Sequence, residues 1–329
     1  MVFGSRPNDV WGQAQRRSSP ILRETRALEF DSEILRNQRI LGTSSQLKKF
    51  LPILLVLASA CSLRPLAVRS TAEVIKGGVG ALYDESDPAF AKDAFPSQLK
   101  LLEELLYDSP RNASLLVLAA QGFAGYSFLF IEDSNPARAQ GFYRRGRNYA
   151  LRALSDRGKF KNIKTESLAA LLKELKNASR KDVPALFWAA FNWAGEINLK
   201  KDSPENLAAL PKVEAIMRRV KEINPGYSFA GPELFFGTYN SRPPMLGGNP
   251  KKAKAYFDQA QTLNHGEYLM AYVLEAQSYA VAIQDQPLFE SLLKKVKDLP
   301  AGRLPNARLS DEVAKEKAAR LLEKENELF

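Results

Sequence analysis

His265 is the single histidine of this chain and Cys61 its single cysteine. Nucleophilic or proton-transfer chemistry built on either needs a partner at a set spacing, and none accompanies them. His265 stands in Leu263-Asn264-His265-Gly266, where a helix should end and where its partial charge suits the C-terminal dipole. Glu103, Glu104, Glu132 and Asp133 have the residue types of an acid and base pair, but nothing nearby isolates one of them in an apolar setting. They read as solvated or capping groups. Gly77-Gly78-Val79-Gly80 lacks the lysine and hydroxyl residue of a phosphate loop and reads as a turn. Metal-ligand spacing is absent, no cofactor motif appears, and no catalytic residue is nominated. The expectation is binding without chemistry, not an enzyme.

The run Arg242-Pro243-Pro244-Met245-Leu246-Gly247-Gly248-Asn249-Pro250 has the composition of a shaped loop. Two prolines stiffen it, and two glycines then open conformations closed to other residues. Such a loop either presents Arg242 or Met245 to something, or is a rigid connector whose arginine caps a helix. Aromatic residues are the second lead. Phe123, Tyr126, Phe187, Trp188, Trp193 and Tyr239 belong to a surplus of large apolar side chains. Most must be core, but in a curved helical array the first helices line the concave side, where such residues can wall a cavity. With Arg242 and Met245 they are the candidate ligand-binding residues. An apolar channel would strip water from a hydrophobic ligand, and Arg242 would hold a carboxylate head.

The elements that must position these residues are helices. Asn249 and Pro250 pair a capping side chain with a residue whose missing N–H costs nothing in a first turn. Ala253, Tyr256, Phe257, Ala260 and Leu263 then recur on one face. About one tetratricopeptide length further on, near 34 residues, Leu288, Leu292 and Val296 repeat the pattern between an Asp285/Pro287 start and a Pro300 stop, with Tyr272, Ala276 and Tyr279 on the partner helix. Earlier, Pro110 ends a helix over Leu101 to Tyr107 and Asn112 caps the next. Asn135/Pro136 and Asp182/Pro184 start two more, and Pro225 closes the helix of Val213, Ile216, Met217 and Val220. Strand signals are weak. The predicted fold is all-α, a solenoid or bundle of four degenerate tetratricopeptide-like hairpins between about residues 95 and 300. The apolar stretch from Ala113 to Ile131 is long enough for a membrane span, yet Ala119, Gly122 and Gly125 place small residues where close helix packing wants them, so a buried central helix is expected.

At the start of the chain, Lys48 and Lys49 precede a short apolar run from Phe50 to Ala60, and Ala58-Ser59-Ala60 leads into Cys61. That is the layout of an export signal. Small residues directly before a cysteine resemble the lipobox of bacterial lipoproteins, so Cys61 is the expected lipidation site, with the alternative of a free cysteine in a buried helix. Residues 1–60 are read as a leader, of which 1–47 fit an over-long translation start, and residues 61–329 as a single domain. With 45% hydrophobic composition that domain has ample material for a core. A formal charge of +10 suits an anionic membrane or acidic partner, but the cations are scattered among acids and no nucleic-acid module is visible. The densest cluster is Arg144, Arg145, Arg147 and Arg152.

Several segments resemble one known family, the T component of TRAP transporters, a tetratricopeptide-repeat periplasmic lipoprotein. They are Gly125-Tyr126 to Asp133 with the Arg144-to-Leu154 helix, Ala185-Leu186-Phe187-Trp188-Ala189-Ala190 with Trp193 and Ile197, and Pro211 to Ala215. Gly237 through Pro250 into Ala253-Lys254-Ala255-Tyr256-Phe257, Asp285 to Leu293, and Ala319-Arg320-Leu321-Leu322 extend the likeness over residues 61–329. The resemblance implies cryptic hairpins, a homotrimer with a hydrophobic cavity in each subunit, and a lipid anchor at a bacterial membrane through Cys61. It also implies pairing with the substrate-binding P component of an ion-driven transporter for a small organic ligand. A scaffold lipoprotein for envelope proteins, with no ligand of its own, is the alternative.

Overall fold

The computed structural model describes residues 77–156, 160–200 and 203–329; the segment read as an export signal and the expected lipidation site Cys61 lie outside them. Every regular element among the described residues is a helix. In chain order they are α1 (Pro88–Asp108), α2 (Ala113–Tyr126, running on as a π-helical segment Ser127–Ile131), α3 (Pro136–Ser155), α4 (Leu168–Leu175), α5 (Val183–Asn198) and α6 (Pro204–Ile223). There follow α7 (Tyr227–Asn240), α8 (Pro250–Leu263), α9 (Leu269–Leu274, continued as π-helical Glu275–Ala280), α10 (Gln286–Asp298), α11 (Arg308–Glu323) and α12 (Glu325–Leu328).

The starts follow from capping chemistry. Asn112, Asn135, Asn249 and Asp285 each accept a hydrogen bond from a backbone N–H of the first turn, and prolines stand just inside three of the four helices. Asp87 and Ser203 do the same for α1 and α6, two starts that the sequence reading passed over. Helix α1 therefore begins at Pro88 and runs through Pro96, well before the expected Leu101. Asp182 and Pro184 start α5 as expected, but without a side-chain cap: the Asp182 carboxylate accepts from the Ser179 N–H and hydroxyl, closing the preceding turn. Residues 77–83 are helical rather than a turn. Leu82 and Tyr83 pack on the core, and that burial outweighs the roughly 1 kcal/mol that each glycine costs a helix.

Consecutive helices pair as hairpins α2–α3, α5–α6, α7–α8 and α9–α10, and the second helix of each packs on the first helix of the next, α3 on α5, α6 on α7 and α8 on α9. That is the stacking rule of a solenoid. Ala113–Ile131 is apolar enough to cross a membrane, but here α2 is a central helix, packed against α1, α3 and α5. Close approach depends on glycines facing large side chains. A Cβ on Gly195 would fall 2.7 Å from the Tyr143 ring, one on Gly122 2.7 Å from Leu99, and one on Gly237 2.9 Å from Phe257. Asn192, fully buried between α3 and α5, donates to the carbonyls of Ala120 (3.0 Å) and Trp188 (2.7 Å), tying α5 to α2.

The array closes on itself. Helix α11 packs on α9 and α10 and also reaches α1, while the Asn306 N–H donates to the Asp84 carboxylate at 2.9 Å. Asp311, without solvent exposure, accepts from the N–H groups of Leu269 and Gly302 and so fixes the start of α9 against α11. In the first turn of α7 the backbone is kinked and strained: Ser228, Phe229 and Ala230 are consecutively left-handed, φ 50 to 57°. Each such non-glycine residue costs roughly 1–2 kcal/mol. Asn264 offsets part of this by donating to the Phe229 carbonyl (2.8 Å), and the Phe229 ring stacks on Tyr268 at 4.5 Å.

Phe257 fills the gap between Ala253 and Ala260, all three without exposure. We expect Phe257→Ala to lower the unfolding free energy by about 3–5 kcal/mol and Gly237→Ala, which pushes on the same ring, by about 1–3 kcal/mol. Urea titration checks both, and the double variant should show less than the summed loss because the two sites share one volume.

Candidate functional site

Helix α5 carries the aromatic wall. Phe187 meets Trp188 edge-on at 4.9 Å and Tyr227 at 5.1 Å, while Phe191, one turn on, meets Phe128 of α2 at 5.8 Å. Phe191 is only partly buried and touches both hydrophobic clusters of the domain, so this seam joins the two halves of the core. Trp188 is 8% exposed, and its buried indole N–H has no acceptor. The Tyr227 hydroxyl lies beside it outside regular hydrogen-bond geometry, and burial pushes that phenol up to about 12. Tyr83, likewise raised to about 12 by burial, meets Gln121 and lies near Tyr227. Two phenols, an amide and a poorly satisfied indole donor thus converge beside rings that offer no charge. Such a group can receive the polar end of an otherwise apolar molecule.

The other sequence candidates are placed as follows. Phe123 and Tyr126 sit in the α1–α2–α3 packing, Phe123 stacked on Tyr149 at 5.9 Å beneath Arg145, and Tyr126 stacked on Phe95 at 5.7 Å. Trp193 is buried beside Arg147. Tyr239 stacks on Phe235 and donates to Glu214 at 3.2 Å. Arg242 donates from Nε to the Tyr239 carbonyl (2.7 Å) and lays its guanidinium 3.8 Å above the Tyr239 ring. Met245 is 91% exposed on the short 3-10 turn Pro244–Leu246. Gly247 takes φ +81°, and a Cβ on Gly248 would collide with the Arg242 carbonyl, so the loop shape requires both glycines. Phe187 and Trp188 therefore share one seam, Tyr239, Arg242 and Met245 share the loop, and the remaining aromatics pack elsewhere.

Of the arginine cluster only Arg147 is buried, and the three exposed members reach along the surface to partners on neighbouring elements. Arg144 (2.9 Å) and Arg147 both bond Glu196 of α5, Arg145 bonds Glu103 of α1, and Arg152 donates to the Pro110 carbonyl at 2.7 Å. These cations fasten α3 to its neighbours. Glu103 is desolvated, yet bonds from Lys100, Tyr149 and Arg145 outweigh that and hold its carboxyl below the usual range.

Glu132 is the carboxylate that sequence reasoning placed wrongly. Burial pushes it up to about 7, only partly opposed by Lys317 at 3.8 Å and by the Tyr143 hydroxyl donating at 2.6 Å, while Asp133 raises it further. Nothing local signals this, since Lys317 lies 185 positions away in the chain. Among the described residues no group of three or more His, Cys, Asp and Glu is placed to hold a metal.

A group raised in the folded state stabilises the fold below its ordinary value and loses that contribution as pH rises through the folded value. Stability should accordingly fall progressively between about pH 4.5 and 7, by up to about 3 kcal/mol, and Glu132→Gln should flatten that slope. Chemical denaturation at stepped pH reads it; an unchanged slope in the variant removes Glu132 as its source. Asp311, raised to about 6 by burial, acts in the same sense at lower pH.

No curated protein matches the chain. The family model described as TRAP transporter T-component matches residues 84–329, which takes in all twelve helices from α1 to α12. On that match, and with the all-helical array that carries it, the chain belongs to the TRAP transporter T-component family.

Proposed function

We propose that this protein is the periplasmic accessory subunit of a TRAP-type transport system, anchored by a lipid on Cys61 and built of degenerate tetratricopeptide hairpins. It binds a small hydrophobic or organic-acid ligand, docks the substrate-binding P component and works as a homotrimer. Family membership supports the transport role. The observation that carries the ligand reading is the buried Trp188 N–H, which among aromatic rings meets only a poorly aligned Tyr227 hydroxyl, because a buried donor short of a good acceptor costs up to about 1–3 kcal/mol until something accepts from it. Ligand capture is desolvation against Phe187, Phe191 and Phe128, with the indole N–H and the phenols of Tyr227 and Tyr83 fixing one polar group. Docking falls to the Arg242–Pro250 loop. Its glycine-locked backbone presents Met245, and Arg242, pinned over Tyr239, supplies a fixed cation that can meet a carboxylate.

The exposed Met245 also suits the scaffold reading, in which the loop binds envelope proteins and no small molecule is held. Native mass spectrometry of protein taken directly from cells separates the two. A co-purifying small molecule is expected, and Trp188→Phe, which keeps a ring but removes the N–H, should weaken its retention about 5- to 15-fold, the worth of one hydrogen bond. Protein partners without any small molecule would leave the scaffold. Cell fractionation tests the anchor: Cys61→Ser should move the protein from the membrane to the soluble fraction.

A further inference from the structure

A cleft of about 570 Å³ opens at the seam where the array closes, far in sequence from the loop of Arg242. Its walls are the first turns of α1 (Pro88, Ala89, Lys92), the π-helical end of α2 with the turn after it (Leu129, Phe130, Asp133, Ser134), Gln277 of the second π-helical segment, and the last turns of α11. Both π-helical segments of the described chain thus contribute to one cleft. Such segments insert an extra residue into a helical turn, at a cost in hydrogen-bond geometry, and are found mostly where a side chain must be re-aimed at a functional site.

The charges here do not balance. Lys317 is committed to Asp133 at 2.7 Å and Glu132 at 3.8 Å, and Arg320 lies within 4 Å of Asp133 and Glu316. These account for every carboxylate on the walls. Lys92, near the start of α1, and Lys324, just after α11, line the same cleft, are exposed, and have no carboxylate within 4 Å among the described residues. Two cations from opposite ends of the array therefore flank a cavity whose apolar wall includes Leu129, Phe130, Leu321 and Pro88, the rest of its lining being polar groups that include the paired Asp133, Glu316, Lys317 and Arg320. A phosphate ion would use only the lysines, whereas an organic carboxylate would also bury its chain on the apolar wall.

We propose that this cleft binds an organic carboxylate, its head between Lys92 and Lys324 and its chain against Leu129, Phe130 and Leu321. It is a site distinct from the aromatic seam and independent of what that seam binds. Bound there, the ligand links the start of α1 to the end of α11 and adds to the closure that Lys317 makes.

The test uses the purified protein and three probes, hexanoate, hexan-1-ol and inorganic phosphate, followed by isothermal titration. Hexanoate should bind, should lose affinity with added salt, and should be weakened at least tenfold by Lys92→Glu with Lys324→Glu, two exposed positions whose exchange leaves the core untouched. Hexan-1-ol and phosphate should each bind far more weakly. Absence of hexanoate binding, undiminished binding in the double variant, or hexan-1-ol or phosphate matching hexanoate would each overturn the proposal. Trp188→Phe should leave the lysine-dependent binding unchanged, so a failure at the aromatic seam and a failure here are told apart.

Discussion

The array holds its shape because one ammonium group is buried where its two ends meet. Lys317, 6% exposed on its side chain, reaches from the last long helix to Asp133 and Glu132 at the end of α2. A solenoid has no intrinsic reason to close, since each repeat is satisfied by its neighbours. Closure therefore needs contacts between residues remote in sequence, and beside the apolar packing of α1 on α11 these include two directional polar ones, Lys317 with Asp133 and Asn306 with Asp84. Polar contacts are directional, so they set where the ends meet more sharply than apolar packing would. Glu132 marks the cost of the arrangement, a carboxylate desolvated until it titrates near 7.

Closure also explains why strain gathers where it does. An open stack of regular helices needs neither left-handed turns nor π-helical segments, but a stack that curls must change direction and re-aim side chains. The left-handed run Ser228-Phe229-Ala230 sits at the entry to α7 and turns Phe229 onto Tyr268. The two π-helical segments end the first helices of their hairpins and put Leu129, Phe130 and Gln277 at the closing seam. The aromatic seam on α5 lies between the halves of the core. Within one chain, irregular backbone and under-satisfied polar groups thus coincide with the places suited to hold a guest.

Much of this was legible beforehand. Asn249-Pro250, Asn135-Pro136 and Asp285 with Pro287 announce helices through a rule that acts within one turn, and the structure caps each of them as the residues require. The small, aromatic, small spacing of Ala253, Phe257 and Ala260 likewise predicts a buried face, because a helix places those positions together whatever surrounds it. The glycine-rich start at 77–83 was misread for the opposite reason: propensity there favours a turn, and packing of Leu82 and Tyr83 overrules it. The site was legible in part. Phe187 and Trp188 are one step apart and meet at one seam, but Trp193 and Phe123 have the same residue character and pack elsewhere.

By itself, then, the amino-acid order determined the all-helical class, most helix starts, the apolar faces and the rigid character of the Arg242–Pro250 loop. All of these are consequences of interactions reaching four or five positions along the chain. The tertiary structure alone decided that four arginines on α3 are fasteners, that Glu132 is buried against a lysine from the far end of the chain, and that Lys92 and Lys324 share a cleft. Desolvation and charge pairing depend on distance in space, and in a curled array residues more than 200 positions apart become neighbours.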